Sequence, residues 1–365
     1  MRIAQIAPLY ESVPPQSYGG TERVVSYLTE ELVRQGHDVT LFASGDSVTR
    51  ARLVAACPRS LRTDPDCLDP LARHVVLIEE VFRRAEQFDL LHFHIDYLHF
   101  PLSRRSGISQ VTTLHGRLDL PDLVPLYREF PEMPVVSISD AQREPLPWLS
   151  WMGTIHHGLP EDLLTFRGEP GEYLAFLGRI SPEKGLDCAI EISRLAGLPL
   201  RIGAKVDRAD HDYYEQVIRP LLRQPHVEFL GEISGAAKDR FLGEARALLF
   251  PVEWPEPFGL VMIEALACGT PVIAFPRGSV PEIMADRRTG FVCRSDEEAV
   301  EAVAHLPGLP REGCRQVFEE RFTARRMAED YLRIYERILT GEVPDGQDGG
   351  DPGILPHRRH HVTAR

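Results

Sequence analysis

An alternation of strand and helix patterns runs through this chain twice and limits the folds it can adopt. In the first half, an apolar run at residues 3–8 precedes a loop, an amphipathic segment at 21–35 and a second apolar run at 38–43. A strand, a helix and a strand in this order form a βαβ unit of a parallel sheet. Further strands of this sheet are predicted at residues 90–94, 110–114 and 134–138.

The alternation begins again after a polar stretch with Gly and Pro at residues 153–172, which we interpret as the connection between two domains. The sequence therefore predicts an α/β fold of two Rossmann-like, doubly wound parallel-sheet domains that face each other across a cleft. In the second half, a helix is predicted at residues 185–195 and strands at 173–178, 200–203, 226–231, 247–251 and 270–275.

These patterns also predict the domain boundaries. We assign residues 1–157 to the first domain and 158–323 to the second, and we predict a helix at 324–340. Residues 341–365 are dense in Gly, Pro, Asp and His, with few apolar residues, so we expect a disordered tail. We interpret the His and Arg run at 357–361 as a solvated charge cluster, with metal binding as the alternative.

Composition narrows the possible functions. With 365 residues, 43% hydrophobic and 26% charged, the chain has the composition of a soluble protein of two domains. No uncharged apolar stretch reaches the ~20 residues that cross a bilayer, and the N-terminal apolar run is too short for a signal peptide. The formal charge of −13 argues against nucleic-acid binding, which depends on clustered Lys and Arg. We therefore expect a cytoplasmic protein with no transmembrane segment.

Two loops of the first half follow predicted strands, the position at which parallel α/β sheets bind ligands. Gly19 and Gly20 precede a predicted helix, so the main chain can approach a ligand and the helix can offer unpaired N–H groups to a phosphate. A simple turn is the alternative. His115 follows the strand at 110–114 and either donates to a sugar hydroxyl or a developing charge, or is a packed core histidine.

A third loop lies between a predicted strand and a predicted helix in the second half. Gly178 permits close backbone approach, and Arg179 and Lys184 place two cations near the start of the helix. Two cations beside a helix N-terminus suit a pyrophosphate. A solvated, charged turn is the alternative.

A fourth segment places two carboxylates around the start of a helix predicted at 259–267. Glu256 precedes the helix and Glu264 lies on its second turn, within an otherwise apolar run. A carboxylate buried without a purpose is costly, so one carboxylate can bind a sugar and the other a ribose. The N–H groups that point between them belong to Phe258, Gly259 and Leu260.

Four motifs in this order resemble the GT-B glycosyltransferases of the family-4 type. They are GGTE at 19–22, the His115-Gly116 pair, GRISPEKG at 178–185 and EPFGLVMIE at 256–264. The resemblance runs from Met1 to about Leu339. It implies that the first domain binds the acceptor, that the second binds a nucleotide-sugar donor, and that the helix at 324–340 packs back on the first domain.

The resemblance also implies roles for the site residues. Gly19 and Gly20 would lie over the donor phosphates, and Arg179 and Lys184 would neutralise the departing pyrophosphate. His115 would sit near the reacting carbon of the sugar. Glu256 would bind sugar hydroxyls and Glu264 the ribose hydroxyls, beside the donor-binding backbone of Gly178, Phe258, Gly259 and Leu260.

The expected activity is therefore transfer of a hexose-type sugar from a UDP-, GDP- or ADP-sugar to an unidentified sugar, lipid or small-molecule acceptor. The resemblance implies retention of the anomeric configuration and no need for a metal. No cofactor is expected, and six cysteines without C-x-x-C spacing predict no zinc site. A nucleotide-sugar epimerase and a non-catalytic nucleotide-sugar-binding protein are the alternatives. An NAD-dependent dehydrogenase is disfavoured because neither glycine loop has the G-x-G-x-x-G pattern.

Acceptor selectivity is expected in the first domain, although no residue there is diagnostic. The segments considered are residues 12–17, 94–99 and 118–126. Aromatic side chains that can stack on an acceptor, or can simply be packing residues, are Tyr10, Tyr18, Tyr97 and Trp148.

Overall fold

The computed structural model describes residues 1–16 and 19–341. In this part of the first half, one parallel sheet contains β1 (Arg2–Ile6), β2 (Asp38–Ser44), β3 (Arg52–Cys57), β4 (Leu90–Phe93), β5 (Gln110–Thr113), β6 (Val135–Ser137) and β7 (Trp151–Thr154). The strand order is β3-β2-β1-β4-β5-β6-β7. Successive strands are therefore added in opposite directions on the two sides of the β1–β4 pair, which makes this pair the switch point of the sheet.

A second parallel sheet contains β8 (Leu174–Ile180), β9 (Leu200–Val206), β10 (Val227–Gly231), β11 (Ala247–Phe250), β12 (Val272–Ala274) and β13 (Gly290–Val292). Its order is β10-β9-β8-β11-β12-β13, so the switch point is the β8–β11 pair. The predicted fold class, two doubly wound α/β units with parallel sheets, is confirmed.

Helices cover both sheets. Those of the described residues are α1 (Gly20–Arg34), α2 (Pro70–Arg83), α3 (Phe100–Ser106), α4 (Leu123–Glu129), α5 (Asp140–Arg143), α6 (Leu186–Ala196), α7 (His211–Tyr213), α8 (Arg219–Leu221), α9 (Gly235–Gly243), α10 (Leu260–Ala267), α11 (Val280–Ile283), α12 (Asp296–His305), α13 (Arg311–Arg321) and α14 (Ala324–Thr340). Because helices pack on both faces, central strands such as β4 and β11 are buried along their whole length.

The last helix of the described chain lies against the first half. α14 packs on α1, and its Tyr331 and Tyr335 are fully buried. The Tyr331 hydroxyl lies 2.8 Å from Thr113 Oγ1 in β5, and Arg337 donates to the Met152 carbonyl in β7 at 2.6 Å. The preceding helix, α13, instead packs on α10 of the second half. The domain boundary at residues 157 and 158 stays a prediction.

Several strand positions differ from the sequence-based interpretation. β3, β7 and β13 are additional strands; β3 is a half-exposed edge strand, and β13 has only three residues. β7 includes Gly153 and Thr154, which we had placed in the domain connection, because its backbone pairs with β6. The tail proposed at 341–365 lies outside the described residues beyond Gly341.

Candidate active site

A cleft of about 920 Å³ separates the carboxyl ends of the two sheets. The first sheet contributes the loops after β1, β4 and β5, and the second contributes the end of β8 and the segment after β11. Both switch points therefore face the same cavity, whose volume suits a ligand of nucleotide-sugar size. All the predicted site residues line it: Gly19, Gly20, His115, Gly178, Arg179, Lys184, Glu256, Phe258, Gly259, Leu260 and Glu264.

Two helices begin at this cleft without a capping side chain. α1 follows Gly19 and α10 follows Gly259, and neither helix receives a side-chain hydrogen bond at its N-cap. A Cβ on Gly20 would lie 3.6 Å from Leu260 Cδ1, so the two helix starts come close across the cleft. First-turn N–H groups that no side chain satisfies are suited to hold an anionic ligand.

Glycine is required where α10 begins. Gly259 has φ 78°, and a Cβ there would come within 2.8 Å of Met262 Cε and 3.0 Å of the Phe250 ring. Any larger residue would strain the backbone and displace the helix start. The same holds at Gly185, which has φ 66° and would bring a Cβ within 2.2 Å of the Pro251 carbonyl oxygen.

Arg179 and Lys184, the two predicted cations, both line the cleft, but one lies in a strand and the other in a turn. The predicted strand ends at Gly178, with Arg179 in the following loop; instead both residues lie within β8, because its pairing with β9 continues to Ile180. Arg179 contacts Glu183 Oε1 at 2.6 Å and Asp210 Oδ2 at 3.4 Å. The guanidinium is therefore projected from a strand and held by two carboxylates.

Lys184 lies in a short 3₁₀ turn, Pro182–Lys184, just before α6. Its ammonium group forms an ion pair with Glu256 and lies 5.0 Å from the centre of the Trp254 ring. Trp254 Nε1 donates to the same carboxylate at 2.8 Å. Glu256, which is buried, is thus held by a cation and by an indole, and Trp254 is a site residue that we did not identify from the sequence.

The second predicted carboxylate has a partner that the sequence did not reveal. Glu264 and Lys238 are both buried, at 5% and 8% exposure, and form an ion pair between α10 and α9. Lys238 also lines the cleft. A lysine in the short α9 segment looks like a surface residue in the sequence, and only its proximity to Glu264 indicates otherwise.

Three histidines, the buried His94 and His157 and the half-buried His115, line the first half of the cleft and the connection between the halves. His94 Nδ1 lies 2.9 Å from His115 Nε2, and the His157 ring stacks on His115 with centroids 5.3 Å apart. Burial lowers the pKa of His115 to about 3 and holds the pKa values of His94 and His157 well below the usual range. All three imidazoles are therefore neutral at pH 7.

Asp96 follows β4 and lines the cleft in an unusual backbone conformation. Its φ of 50° is rare for a residue other than glycine. The side chain is exposed to the cleft, yet the surrounding protein raises the pKa of its carboxyl group to about 6 by desolvation. An unusual backbone conformation at a residue whose carboxyl group faces a cleft indicates a ligand contact.

The proposed acceptor segments are only partly at the cleft. Tyr10 and Tyr97 line it, whereas residues 118–126 and Trp148 do not. Trp148 is 39% exposed and lies beneath Arg128, 5.5 Å from the guanidinium carbon. Ser17 and Tyr18 lie outside the described residues.

Residues 1–16 and 19–341 contain no helix that combines the length and apolar character needed to cross a bilayer. In the same residues, no cluster of three or more His, Cys, Asp or Glu side chains has a geometry that could hold a metal ion.

Family models match both halves of the chain. The model described as "Glycosyl transferases group 1" matches residues 166–312, and the model described as "Glycosyltransferase Family 4" matches residues 18–149. The chain belongs to the group 1 glycosyltransferases. Both matches include cleft residues described above.

Curated relatives of this glycosyltransferase are distant. The phosphatidyl-myo-inositol mannosyltransferase of Mycobacterium leprae is 26% identical over 93% of this chain and 98% of the relative. An uncharacterized 41.2 kDa protein in the cps region of Klebsiella pneumoniae is 27% identical over 45% of this chain. That match spans about half of the relative, 46% of its length.

Solved structures share the fold of this glycosyltransferase. The sucrose-phosphate synthase of Thermosynechococcus elongatus has a TM-score of 0.75 at 18% identity, covering 93% of this chain and 100% of the neighbour. AviGT4, a glycosyltransferase involved in avilamycin A biosynthesis, has a TM-score of 0.71 at 23% identity, covering 93% and 99%. Anabaena Alr3699/HepE, solved in complex with UDP-glucose, has a TM-score of 0.67 at 17% identity, covering 93% and 100%. The GT-B architecture is thus common to all of them.

Proposed function

We propose that this glycosyltransferase moves a hexose from a nucleoside-diphosphate donor to an acceptor hydroxyl, with retention of configuration and without a metal ion. The observation that carries the proposal is that two cations, two carboxylates and two uncapped helix starts surround one cleft. This combination suits a diphosphate joined to a polyhydroxylated ring, because each part of the donor meets groups of complementary charge.

Binding of the diphosphate would change the partners of Lys184. Without a ligand, its ammonium group is neutralised by Glu256, which Trp254 also contacts. A diphosphate offers the lysine a stronger partner with more negative charge. Glu256 would then be released from the lysine while the indole still orients it, so that its oxygens can accept hydrogen bonds from sugar hydroxyls.

Glu264 is suited to the ribose. Lys238 binds its Oε1 within a buried pair, which fixes the carboxylate on α10. A rigid carboxylate selects hydroxyl groups at a defined position, because ordering it costs little when the ligand binds. Lys238 therefore acts through Glu264, holding it in place rather than contacting the nucleotide phosphates.

Neutralising the leaving group is the main task of the reaction. As the bond from the anomeric carbon to the phosphate oxygen breaks, its electron pair stays on the diphosphate. Arg179, Lys184 and the N–H groups at the starts of α1 and α10 would stabilise that charge. These groups can do the work for which other transferases use a divalent cation. The acceptor oxygen then attacks from the face the leaving group has left, and its proton passes to the diphosphate.

The test uses the purified full chain with UDP-, GDP- and ADP-hexoses in the presence of EDTA. We expect slow release of free sugar and nucleoside diphosphate from one of these donors. The sugar that NMR detects first should have the same anomeric configuration as the donor. Dependence on added divalent metal would contradict metal independence, and an inverted first product would contradict retention. Conversion of the donor to its epimer, or binding without turnover, would instead favour one of the two alternative functions.

A further inference from the structure

A network of hydrogen-bonded polar side chains crosses the apolar core beneath the first half of the cleft. Gln5 in β1 and His92 in β4 are directly opposite each other in the sheet register, and both are fully buried. His94, two residues further along, is 2% exposed. Buried polar groups are retained only when hydrogen bonds offset their desolvation, so the partners of these side chains define their protonation.

The chain of contacts begins at the last helix and ends at the cleft. The Tyr335 hydroxyl of α14 lies 3.2 Å from Gln5 Nε2 and 2.7 Å from His92 Nδ1. Gln5 Oε1 lies 2.8 Å from His94 Nε2. His94 Nδ1 then lies 2.9 Å from His115 Nε2, at the cleft.

With the Gln5 amide oriented as described, these contacts assign a position to each hydrogen. His94 and His115 are neutral because burial holds their pKa values far below 7, so each ring carries one N–H. Gln5 Oε1 can only accept, and His94 therefore donates through Nε2. Its Nδ1 is then a bare acceptor, and it receives the hydrogen on His115 Nε2. His115 Nδ1 is left with a lone pair and no hydrogen.

Independent geometry points to the same nitrogen. His115 Nδ1 is buried and has no hydrogen-bond partner among the described residues. The two nitrogens of an imidazole point in widely different directions, so Nδ1 faces away from His94. A buried acceptor without a partner is costly, and the hydroxyl hydrogen of a ligand in the cleft would satisfy it.

We infer that Gln5 and His94 are positioning residues that hold His115 in one tautomer, so that its Nδ1 accepts a hydrogen bond from a hydroxyl of the bound sugar or acceptor. The inference deepens the proposed function and rests on it for the identity of the ligand. It reverses our sequence-based expectation that His115 donates. His115 contacts the substrate, while Gln5 and His94 act through it.

The wild-type protein provides the first test, and that test does not depend on activity. In the full chain labelled with ¹⁵N-histidine, two-bond ¹H–¹⁵N correlations distinguish a bare nitrogen from one that carries hydrogen, and the signals missing in His115→Gln identify His115. At pH 7 we expect hydrogen on Nε2 and a bare Nδ1. Hydrogen on Nδ1, alone or on both nitrogens, would overturn the inference. This result stands even if no nucleotide sugar is turned over.

A matched set of variants tests the positioning role with UDP-glucose hydrolysis as the probe. Gln5→Met removes the acceptor at similar volume, so we expect an Nδ1–H population on His115 and a fall in kcat of about tenfold with little change in KM. Gln5→Glu keeps an acceptor facing His94, so it should recover most of the rate. Tyr173→Phe is the control, because its buried hydroxyl donates to the Phe241 carbonyl in the second half, away from Gln5 and the histidines.

The results separate the inference from the proposed function. An unchanged tautomer in Gln5→Met, or an equal fall in kcat in Tyr173→Phe, would overturn the positioning role. If UDP-glucose is not a substrate, the donor that is turned over in the panel above replaces it. If none is turned over, the proposed function fails, while the histidine spectra of the wild type and of Gln5→Met still decide the tautomer.

Discussion

The two sides of the cleft hold their buried polar side chains in different ways. In the second half, the cations at the cleft are matched by carboxylates, Lys184 by Glu256 and Lys238 by Glu264. In the first half, His94 and His115 are neutral and hydrogen-bonded to one another. The two cation–carboxylate pairs therefore lie where the nucleotide is proposed to bind, and the two neutral histidines lie where hydroxyls are proposed to bind.

This difference has a physical reason. A diphosphate gains most from fixed positive charge, whereas a hydroxyl needs a donor or acceptor with a defined direction. A protonated histidine beside the reacting carbon would repel the positive charge that develops on the sugar. Burial avoids this, because it keeps the imidazoles neutral.

The largest effect on stability is expected from breaking the buried Lys238–Glu264 ion pair of the second half. Lys238→Met leaves the Glu264 carboxylate buried without a cation, which typically costs about 3–5 kcal/mol in the free energy of unfolding. The double variant Lys238→Met/Glu264→Leu should recover most of this stability, because an apolar pair packs without the desolvation cost. It should not recover nucleotide binding if Glu264 holds the ribose.

Denaturant unfolding and calorimetric titration with UDP, GDP and ADP measure these two properties. Arg219→Met, which breaks an exposed ion pair with Glu215, is the control and should change stability by less than about 1 kcal/mol. Equal stability of Lys238→Met and the control would show that the Lys238–Glu264 pair is not important for the fold.

The charges proposed to face the leaving group should affect the rate rather than the fold. Lys184→Ala or Arg179→Ala should slow donor turnover about 100- to 1000-fold, by analogy with the removal of one charge-stabilising donor from an active site. The far-UV spectrum should be unchanged. Arg194→Ala, which removes an exposed pair with Glu191 on α6, is the matched control. Near-wild-type turnover in both Lys184→Ala and Arg179→Ala would refute their role.

The neutral histidines of the first half should make the protein sensitive to acid. The folded-state pKa of His115 is about 3, below the unfolded value of about 6.5, so the folded protein binds fewer protons between these values. The stability that this histidine contributes is present above pH 6.5 and is lost as the pH falls toward 3. His115→Phe should reduce the loss between pH 7 and pH 4 by on the order of 2 kcal/mol.

Thermal unfolding at several pH values measures this loss. His305→Phe replaces an exposed histidine at the end of α12 and should leave the pH dependence of Tm as it is in the wild type. If His115→Phe and the control had the same acid dependence, His115 would not be the buried neutral imidazole described here.

The smallest effect is expected at Asp96. The pKa of Asp96 is raised to about 6 in the folded protein, above its unfolded value of about 3.9. The ionised carboxylate therefore lowers the stability of the folded protein at high pH, and this cost is lost as the pH falls below 4. Asp96→Asn should therefore raise Tm at pH 8, on the order of 1 °C since the side chain is exposed, and the gain should vanish near pH 4. Asp119→Asn, in an exposed pair with Arg117, is the control and should lower Tm or leave it unchanged at pH 8. A constant gain at all pH values would exclude titration of Asp96 as the cause.

The sequence predicts the features that depend on neighbouring residues, such as strands, helices and the loops between them. The alternation of strands and helices predicts both parallel sheets, although not their strands β3, β7 and β13. The spacing of Gly178, Arg179 and Lys184 places all three at the cleft, because strand ends and helix starts are local features. The predicted strand at 173–178 ends two residues too early, because Gly178 looks like the start of a turn, while the pairing of β8 with β9 continues to Ile180.

Contacts between distant segments could not be predicted in the same way. Lys238 and Glu264 are on different helices, and the contact of Gln5 with His94 depends on the register between β1 and β4. The sequence did contain an indication of a buried hydrogen-bond network, because Gln5, His92 and His94 are polar residues in otherwise apolar strands. They do not by themselves identify their partners, because the strand order decides which strands are adjacent.

A crystal structure of the wild-type protein with the nucleoside diphosphate of its donor, grown in EDTA, tests the central claim most directly. We predict that the diphosphate lies between the starts of α1 and α10, with Arg179 and Lys184 on its oxygens and Lys184 moved away from Glu256. A diphosphate bound elsewhere in the cleft, with the Lys184–Glu256 pair intact, would contradict the account.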